Sequence, residues 1–176
     1  YSYNNINNIG NPVSNFCFDL TKYPKLKLLR DNWEIFREDY QLVKDNLIKM
    51  PYPIYDGTWA AFGFAYLGER LNQDICPRVN EILDEIGDIY IAGFSVLKPK
   101  AVINPHEGEG FGYLRSHVGL ICPDGCSITV GGEDYTWSEG EVVVFDGTIE
   151  HSARNTSDDE RVVFLLDFPA PNESPT

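Results

Sequence analysis

The stretch GEVVVFDGTIEHSARN, residues 140–155, places a strand, a turn and a histidine in immediate succession. An apolar run of valines and a phenylalanine follows Gly140 and predicts a buried strand. Asp146 lies in the turn that ends this strand, and His151 opens the next extended segment. A tight turn of this kind would launch the second strand so that its histidine points into the mouth of a closed β structure.

The chain around this stretch, from residue 88 onward, consists of short runs of β-branched and aromatic residues. Glycine, proline, aspartate and asparagine separate the runs, as at the turns of an antiparallel sheet. At least six short strands in roughly 80 residues predict a mainly β fold with a double-stranded β-helix (jelly-roll) core. The runs that predict these strands are DIYIAGFSVLKP, YLRSHVGLICP, SITVGG, EDYTW, EVVVFDG, HSARN and RVVFLLDF.

The N-terminal half of the chain supplies flanking helices. Between residues 23 and 48, apolar residues recur at intervals of three and four, which predicts one amphipathic helix. A short helix is predicted for residues 76–87, with Pro77 in its first turn and Gly87 as its stop. The apolar run WAAFGFAYLG, residues 59–68, predicts a buried strand. We expect the helices to pack on one face of the β core.

The composition favours a single packed domain over residues 1–176, since 43% of the residues are hydrophobic and no internal repeat is visible. The expected parts are an N-terminal arm (1–20), helical and strand support (21–87), the jelly-roll core (88–168) and a tail (169–176).

The net charge of −13 at pH 7 argues against nucleic acid and anionic membrane surfaces as partners, because both require positive charge. Neither an apolar run of about 18 residues nor a signal peptide is visible, so we expect no membrane span and a cytoplasmic location.

The four cysteines are too sparse for a secreted disulfide framework and are expected to be reduced thiols. A disulfide between Cys122 and Cys126, which flank a turn, is the alternative.

All three histidines of the chain, His106, His117 and His151, lie in the predicted β region. Neutral imidazole is the commonest ligand for iron, zinc, copper and nickel, and histidines on neighbouring strands of a small barrel can converge on its interior. The alternative is that each is a hydrogen-bonded residue of the core. Spacing alone allows either His106 or His117 to pair with His151 at a metal.

Arg161 stands ten residues after His151, on the apolar run RVVFLLDF. A guanidinium on an apolar strand is costly unless an anion neutralises it, and its planar fork matches a carboxylate. This placement predicts a binding site for a small carboxylic acid. The alternative is a surface salt bridge with the acidic run SDDE, residues 157–160.

The spacing from histidine to arginine resembles that of the iron/2-oxoglutarate oxygenases, in which the arginine grips the far carboxylate of the cosubstrate. Most of these enzymes hold iron with a His-x-Asp/Glu pair and a distal histidine. Here Gly108 and Gly119 take the third position after His106 and His117, so no carboxylate can reach the metal from there.

Residues 95–168 closely resemble the aspartyl/asparaginyl β-hydroxylases, a family of Fe(II)/2-oxoglutarate-dependent oxygenases with a cupin-like fold, and the resemblance is thinner over residues 24–94. The shared pattern is Pro-His-x-Gly, then Leu-Arg-x-His-x-Gly-Leu, a Gly-Cys turn, a tryptophan before Glu-Gly, and Phe-Asp ahead of Glu-His. The stretch 140–155 also resembles the second cupin motif, with Asp146 in place of the usual proline and Thr148 in place of the usual glycine.

The resemblance implies that His106 and His151 hold Fe(II), with water at the coordination site that Gly108 leaves open. Arg161 would bind the far carboxylate of 2-oxoglutarate, and Ser95 would add a hydroxyl donor.

The resemblance further implies that His117 hydrogen-bonds the near carboxylate of 2-oxoglutarate. Arg115 would bind a carboxylate or another acceptor on the substrate, and Trp59 would shape the substrate cleft. Arg115 and His117 lie two residues apart on a strand and therefore face the same interior. The implied reaction hydroxylates an unactivated carbon of an Asp/Asn-like amino acid or residue. Molecular oxygen is consumed, and 2-oxoglutarate is decarboxylated to succinate.

The basic residues that the family carries around its substrate cleft are fewer in this chain, where Tyr113 stands two residues before Arg115. A free amino acid, a short peptide or a carrier-bound residue is therefore a better expected substrate than a folded growth-factor-like domain. Two other functions stay open. One is a non-catalytic cupin-like module that binds a metal or a carboxylate, and the other is a cupin-type metal lyase or isomerase.

Overall fold

A computed structural model describes residues 13–171. Three α-helices, α1 (Lys27–Asp31), α2 (Trp33–Val43) and α3 (Pro77–Ile86), lie in the N-terminal half. The strands are β1 (Ile48–Lys49), β2 (Tyr55–Asp56), β3 (Trp59–Tyr66), β4 (Glu69–Arg70), β5 (Ile91–Leu97), β6 (Val102–His106), β7 (Tyr113–Ile121), β8 (Cys126–Val130), β9 (Glu133–Tyr135), β10 (Val142–Phe145), β11 (His151–Asn155) and β12 (Arg161–Pro169).

The strands form two antiparallel sheets. A seven-stranded sheet has the order β1-β3-β5-β12-β7-β10, with β4 paired to β3, and a five-stranded sheet has the order β2-β6-β11-β8-β9. The connections cross repeatedly between the sheets, so consecutive strands often belong to different sheets. The predicted mainly β fold with a jelly-roll core is confirmed.

Alternation along the strands creates two separate cores, because successive side chains point to opposite faces. On β12, Phe164 faces the helices and packs against Phe36 of α2, with ring centroids 4.6 Å apart. Its neighbour Val163 faces the five-stranded sheet and joins Phe145 and Ile128 in the core between the sheets. The helices therefore cover one face of the seven-stranded sheet, as predicted, and leave the other face to form the cavity described below.

The single predicted helix between residues 23 and 48 is wrong. A 3₁₀ turn over Pro24–Leu26 precedes α1, and Asn32 separates α1 from α2 with a φ of −119°. The Asn32 side chain donates a hydrogen bond to the carbonyl of Leu28, 2.8 Å away. This bond between side chain and backbone competes with helical pairing at the junction. The other N-terminal predictions agree with the structure, since α3 spans Pro77–Ile86 with Gly87 directly after it, and β3 lies within residues 59–68.

Part of the predicted N-terminal arm packs against the barrel. Cys17 exchanges two backbone hydrogen bonds with Val144 of β10, at 2.8 and 2.9 Å, and Phe16 is buried between the sheets. Residues 1–12 of the arm and 172–176 of the tail lie outside the described residues.

All four cysteines are free thiols, as predicted. Over residues 13–171, no helix is both long and apolar enough to cross a membrane.

Candidate active site

All seven predicted site residues line one cavity between the two sheets. Five of them lie on strands β3, β5, β7 and β12 of the seven-stranded sheet, and the other two lie on β6 and β11 of the five-stranded sheet. The seven residues are Trp59, Ser95, His106, Arg115, His117, His151 and Arg161.

His106 and His151 form a close pair across the β6–β11 ladder. They are direct register partners, and their ring centroids lie 4.2 Å apart. The Nδ1 atom of each ring lies 2.8 Å from a backbone carbonyl two residues earlier, Asn104 for His106 and Ile149 for His151. A carbonyl can only accept, so each Nδ1 carries the proton and each Nε2 keeps a free lone pair. Two imidazoles in this form are ready to coordinate a metal.

Burial lowers the pKa of His151 to about 4, so this ring is neutral at physiological pH. Neutrality is a requirement for metal coordination by imidazole. Of the other two histidines, His106 is the one that lies beside His151. His117 lies on β7 of the other sheet, and its Nδ1 accepts a hydrogen bond of 3.2 Å from the indole Nε1 of Trp137.

Gly108 explains why the site has no His-x-Asp/Glu pair. Its backbone N–H donates to the carbonyl of Gly147, 2.9 Å away, and this bond joins the turn after β6 to the turn before β11. A Cβ atom at position 108 would lie 2.7 Å from the Gly147 oxygen, which is closer than real contacts allow. Among residues 13–171, no group of three histidine, cysteine, aspartate or glutamate side chains is placed to hold a metal.

Arg161 is buried without an anionic partner. Its side chain is 2% exposed, and one terminal nitrogen donates to the backbone oxygen and the hydroxyl of Ser95, at 3.2 and 3.3 Å. Its Nε has no hydrogen-bond acceptor within the described chain. Burial lowers the pKa of Arg161 to about 10, which still leaves it charged near neutral pH. A buried cation in this state calls for an anion inside the cavity.

The alternative salt bridge of Arg161 with the run 157–160 is wrong. Glu160 binds Lys98, 2.8 Å away, and Asp158 binds Lys100, 3.2 Å away, so these carboxylates pair with lysines and not with Arg161. Asn155 orients the loop by donating to the carbonyls of Leu97 and Asp159, at 2.9 and 2.7 Å.

Ser95 is arranged to donate a hydrogen bond into the cavity. Its hydroxyl oxygen accepts one bond from the indole of Trp59, 3.0 Å away, and a second from Arg161. A hydroxyl has two acceptor positions and one proton, so the proton of Ser95 is left for a ligand. Trp59 thus orients Ser95 in addition to lining the cleft.

Arg115 is less available than the sequence suggested. Its Nε and one terminal nitrogen bind both carboxylate oxygens of Asp167, at 2.8 and 2.9 Å. This bidentate pair uses the face of the guanidinium that would match a substrate carboxylate, so only the remaining N–H groups can reach a substrate. The prediction missed Asp167, although the Asp of LLDF stands six residues after Arg161 and therefore on the same face of the strand.

The two antiparallel sheets and the cavity between them define a jelly-roll protein. The structure is similar to an oxidoreductase of the 2OG-Fe(II) oxygenase family from Burkholderia pseudomallei, with a TM-score of 0.57 and 14% identity. That alignment covers 75% of this chain and 77% of the other. At this identity the likeness shows the fold alone.

The chain belongs to the aspartyl/asparaginyl β-hydroxylase family, whose sequence model matches residues 27–171. It is 30% identical over 173 residues to the human aspartyl/asparaginyl beta-hydroxylase, covering 88% of this chain and 22% of that protein. It is 35% identical over 125 residues to the ornithine lipid ester-linked acyl 2-hydroxylase of Rhizobium tropici, covering 68% and 44%. The chain therefore spans less than half the length of these two relatives.

Proposed function

We propose that this protein is an Fe(II)- and 2-oxoglutarate-dependent hydroxylase. The observation that carries the proposal is the content of a single cavity, where two paired imidazoles with free Nε2 atoms lie beside a buried guanidinium that lacks an anion. The imidazole pair suits a divalent metal, and the guanidinium suits a carboxylate. A metal with a bound 2-oxo acid would satisfy both features together.

His106 and His151 would hold Fe(II) through Nε2, and the carbonyls of Asn104 and Ile149 would keep both rings in the required tautomer. The contact between Gly108 and Gly147 keeps protein side chains away from the third position, which leaves room for water, cosubstrate and oxygen. When bound, iron with 2-oxoglutarate supplies the oxygen activation that accompanies decarboxylation of the cosubstrate to succinate.

Arg161 and the Ser95 hydroxyl would bind the far carboxylate of 2-oxoglutarate, and the Nε2–H of His117 would donate to the near carboxylate. The chain's own contribution is to orient the cosubstrate and to exclude water with the apolar wall around it. Phe145 and Leu165 form part of that wall.

The substrate would be an amino acid or amino-acid residue, free, in a short peptide or carrier-bound, and it would present an unactivated carbon to the metal. Trp59 and the remaining donors of Arg115 would contact it. Tyr113, the first residue of β7, stacks on Tyr90 with ring centroids 3.9 Å apart and adds no positive charge. Because one relative is named for a lipid acyl chain, the test panel should include an acyl ester beside aspartyl and asparaginyl compounds.

The deciding experiment measures succinate formed by purified protein with Fe(II), 2-oxoglutarate, oxygen and this panel. Under anaerobic conditions, the visible charge-transfer band of the Fe(II)–2-oxoglutarate complex reports binding without turnover. Arg161→Met should lose both signals. Arg154→Met, at an exposed arginine of the preceding strand β11, is the matched control and should keep them.

A wild-type protein that shows neither the band nor succinate would overturn the proposal. Binding without turnover across the whole panel would favour the non-catalytic module instead.

A further inference from the structure

Trp137 contacts both of the groups that would receive the cosubstrate's carboxylates. It lies in the segment between β9 and β10, and 3% of it is exposed. Its indole Nε1 lies 3.2 Å from the Nδ1 of His117, and the central carbon of the Arg161 guanidinium stands 4.5 Å from its ring centroid. No other residue of the described chain is hydrogen-bonded to the imidazole of His117.

The contact with His117 determines where that imidazole carries its proton. An indole nitrogen can only donate, so the Nδ1 of His117 must accept, and its proton must sit on Nε2. Burial, followed by the charge of nearby Arg161, lowers the pKa of His117 well below its ordinary value, which agrees with a neutral ring. His117 therefore presents an N–H donor to the cavity.

The partner of each Nδ1 separates the three histidines into two kinds. Carbonyls oppose Nδ1 in His106 and His151, so their Nε2 atoms offer lone pairs that suit a metal. An N–H opposes Nδ1 in His117, so its Nε2 offers a proton that suits a carboxylate. The residue that makes His117 an anion-binding group is Trp137.

The contact with Arg161 has a complementary effect. The face of an indole ring attracts a cation and leaves the N–H groups in the guanidinium plane free. Trp137 thus stabilises the buried charge of Arg161 through its ring face. A protein carboxylate would have bound the N–H groups of the guanidinium, whereas the indole leaves them free for a ligand.

We propose that Trp137 is a positioning residue for a dicarboxylate ligand. One indole holds His117 as an Nε2–H donor and at the same time holds Arg161 against its ring face. The tautomer of His117 is a property of the protein alone, whereas the effect on 2-oxoglutarate rests on the function proposed above.

The first experiment reads the tautomer directly in the metal-free protein. A long-range proton–nitrogen correlation spectrum resolves the imidazole nitrogens, and His117→Gln assigns the relevant signals among only three histidines. We expect a neutral Nε2–H ring for His117 at pH 7 in the wild-type protein. A ring protonated on Nδ1, or on both nitrogens, would overturn the proposal, and this result needs neither iron nor turnover.

The second experiment uses Trp137→Phe, which keeps an aromatic ring and removes the N–H donor. We expect mixed tautomers at His117, a KM for 2-oxoglutarate about tenfold higher, and a kcat changed by less than about threefold. An unchanged KM together with an unchanged tautomer would contradict the positioning role.

Trp33→Phe is the matched control, because Trp33 also carries an arginine, Arg37, 4.5 Å from its ring centroid but lies on α2 outside the cavity. Trp33→Phe should leave both the tautomer of His117 and the KM for 2-oxoglutarate unchanged. If Trp137→Phe does not fold, the spectrum of the wild-type protein still tests whether His117 carries its proton on Nε2. If the wild-type protein does not use 2-oxoglutarate, the proposed function fails, while the tautomer measurement tests Trp137 independently.

Discussion

Gly108 and Gly147 approach each other so closely that their backbones share a 2.9 Å hydrogen bond and no Cβ fits at position 108. Each glycine lies within a few residues of a histidine of the central pair. The contact therefore ties together the two turns next to the pair, and it excludes a carboxylate side chain at the second position after His106.

Gly108→Asp should accordingly fail to create a three-ligand site. The new Cβ would meet the Gly147 oxygen at 2.7 Å, so we expect a loss of about 1–3 kcal/mol in the free energy of unfolding. Metal affinity should not increase. Urea denaturation and Fe(II) titration check both points. Gly110→Asp, where nothing lies within 4 Å of an added Cβ, is the control and should stay close to wild type. Tighter metal binding by Gly108→Asp at full stability would refute this view of the contact.

Asp167→Asn should destabilise the protein by about 2 kcal/mol, because it leaves the half-buried guanidinium of Arg115 without its carboxylate. Asp158→Asn removes a carboxylate that is 93% exposed and should change stability by less than about 0.5 kcal/mol. A double-mutant cycle with Arg115→Met should give a coupling energy above about 1 kcal/mol. Purely additive effects would mean that the two side chains do not stabilise each other.

His117 makes the stability of the metal-free protein depend on pH. Burial holds the folded-state pKa of His117 well below the ordinary histidine value of 6.5, so the unfolded chain binds a proton first as the pH falls. The free energy of unfolding should therefore fall below pH 6.5. Compared with His117→Gln, the wild-type protein should lose about 1.4 kcal/mol more per pH unit between pH 6 and pH 5. Urea denaturation at several pH values measures this difference, and parallel curves for the two proteins would contradict it.

Asn155→Ala should lower the free energy of unfolding by about 2–3 kcal/mol, since the side chain is 1% exposed and bridges the carbonyls of Leu97 and Asp159. It should also weaken 2-oxoglutarate binding, because the loop that it orients leads directly into Arg161. Asn46→Ala, at an exposed site after α2, should be nearly neutral. Normal cosubstrate affinity in a folded Asn155→Ala variant would show that Arg161 is positioned without this loop.

The sequence predicted the jelly-roll core because strand periodicity and turn residues are local signals, whereas most of the residues that line the cavity were implied by the resemblance to the hydroxylase family. It could not choose between His106 and His117, since that choice depends on which strands become neighbours. The strand β6 went unrecognised because VINPH contains a proline and lacks a long apolar run. Its pairing with β11 is a tertiary effect.

Two further features depended on contacts that sequence spacing does not encode. Asp167 reaches Arg115 only because β12 and β7 align those two residues in register. Trp137 reaches His117 from a segment outside any strand. The helix break at Asn32 was missed for a different reason, since a single asparagine in an otherwise regular apolar pattern is a weak signal.

The strand β12 fixes the distance between Arg161 and the ion pair of Asp167 with Arg115. Arg161 opens this strand and Asp167 lies six positions later on the same face, so about 20 Å of extended backbone separates them. Ladders with β5 on one side and β7 on the other hold the strand, and it cannot slide without breaking both. If a ligand contacts both ends of this strand, the protein would select it by length without any conformational change. The spacing between the two ends of β12 would then set the longest ligand that fits.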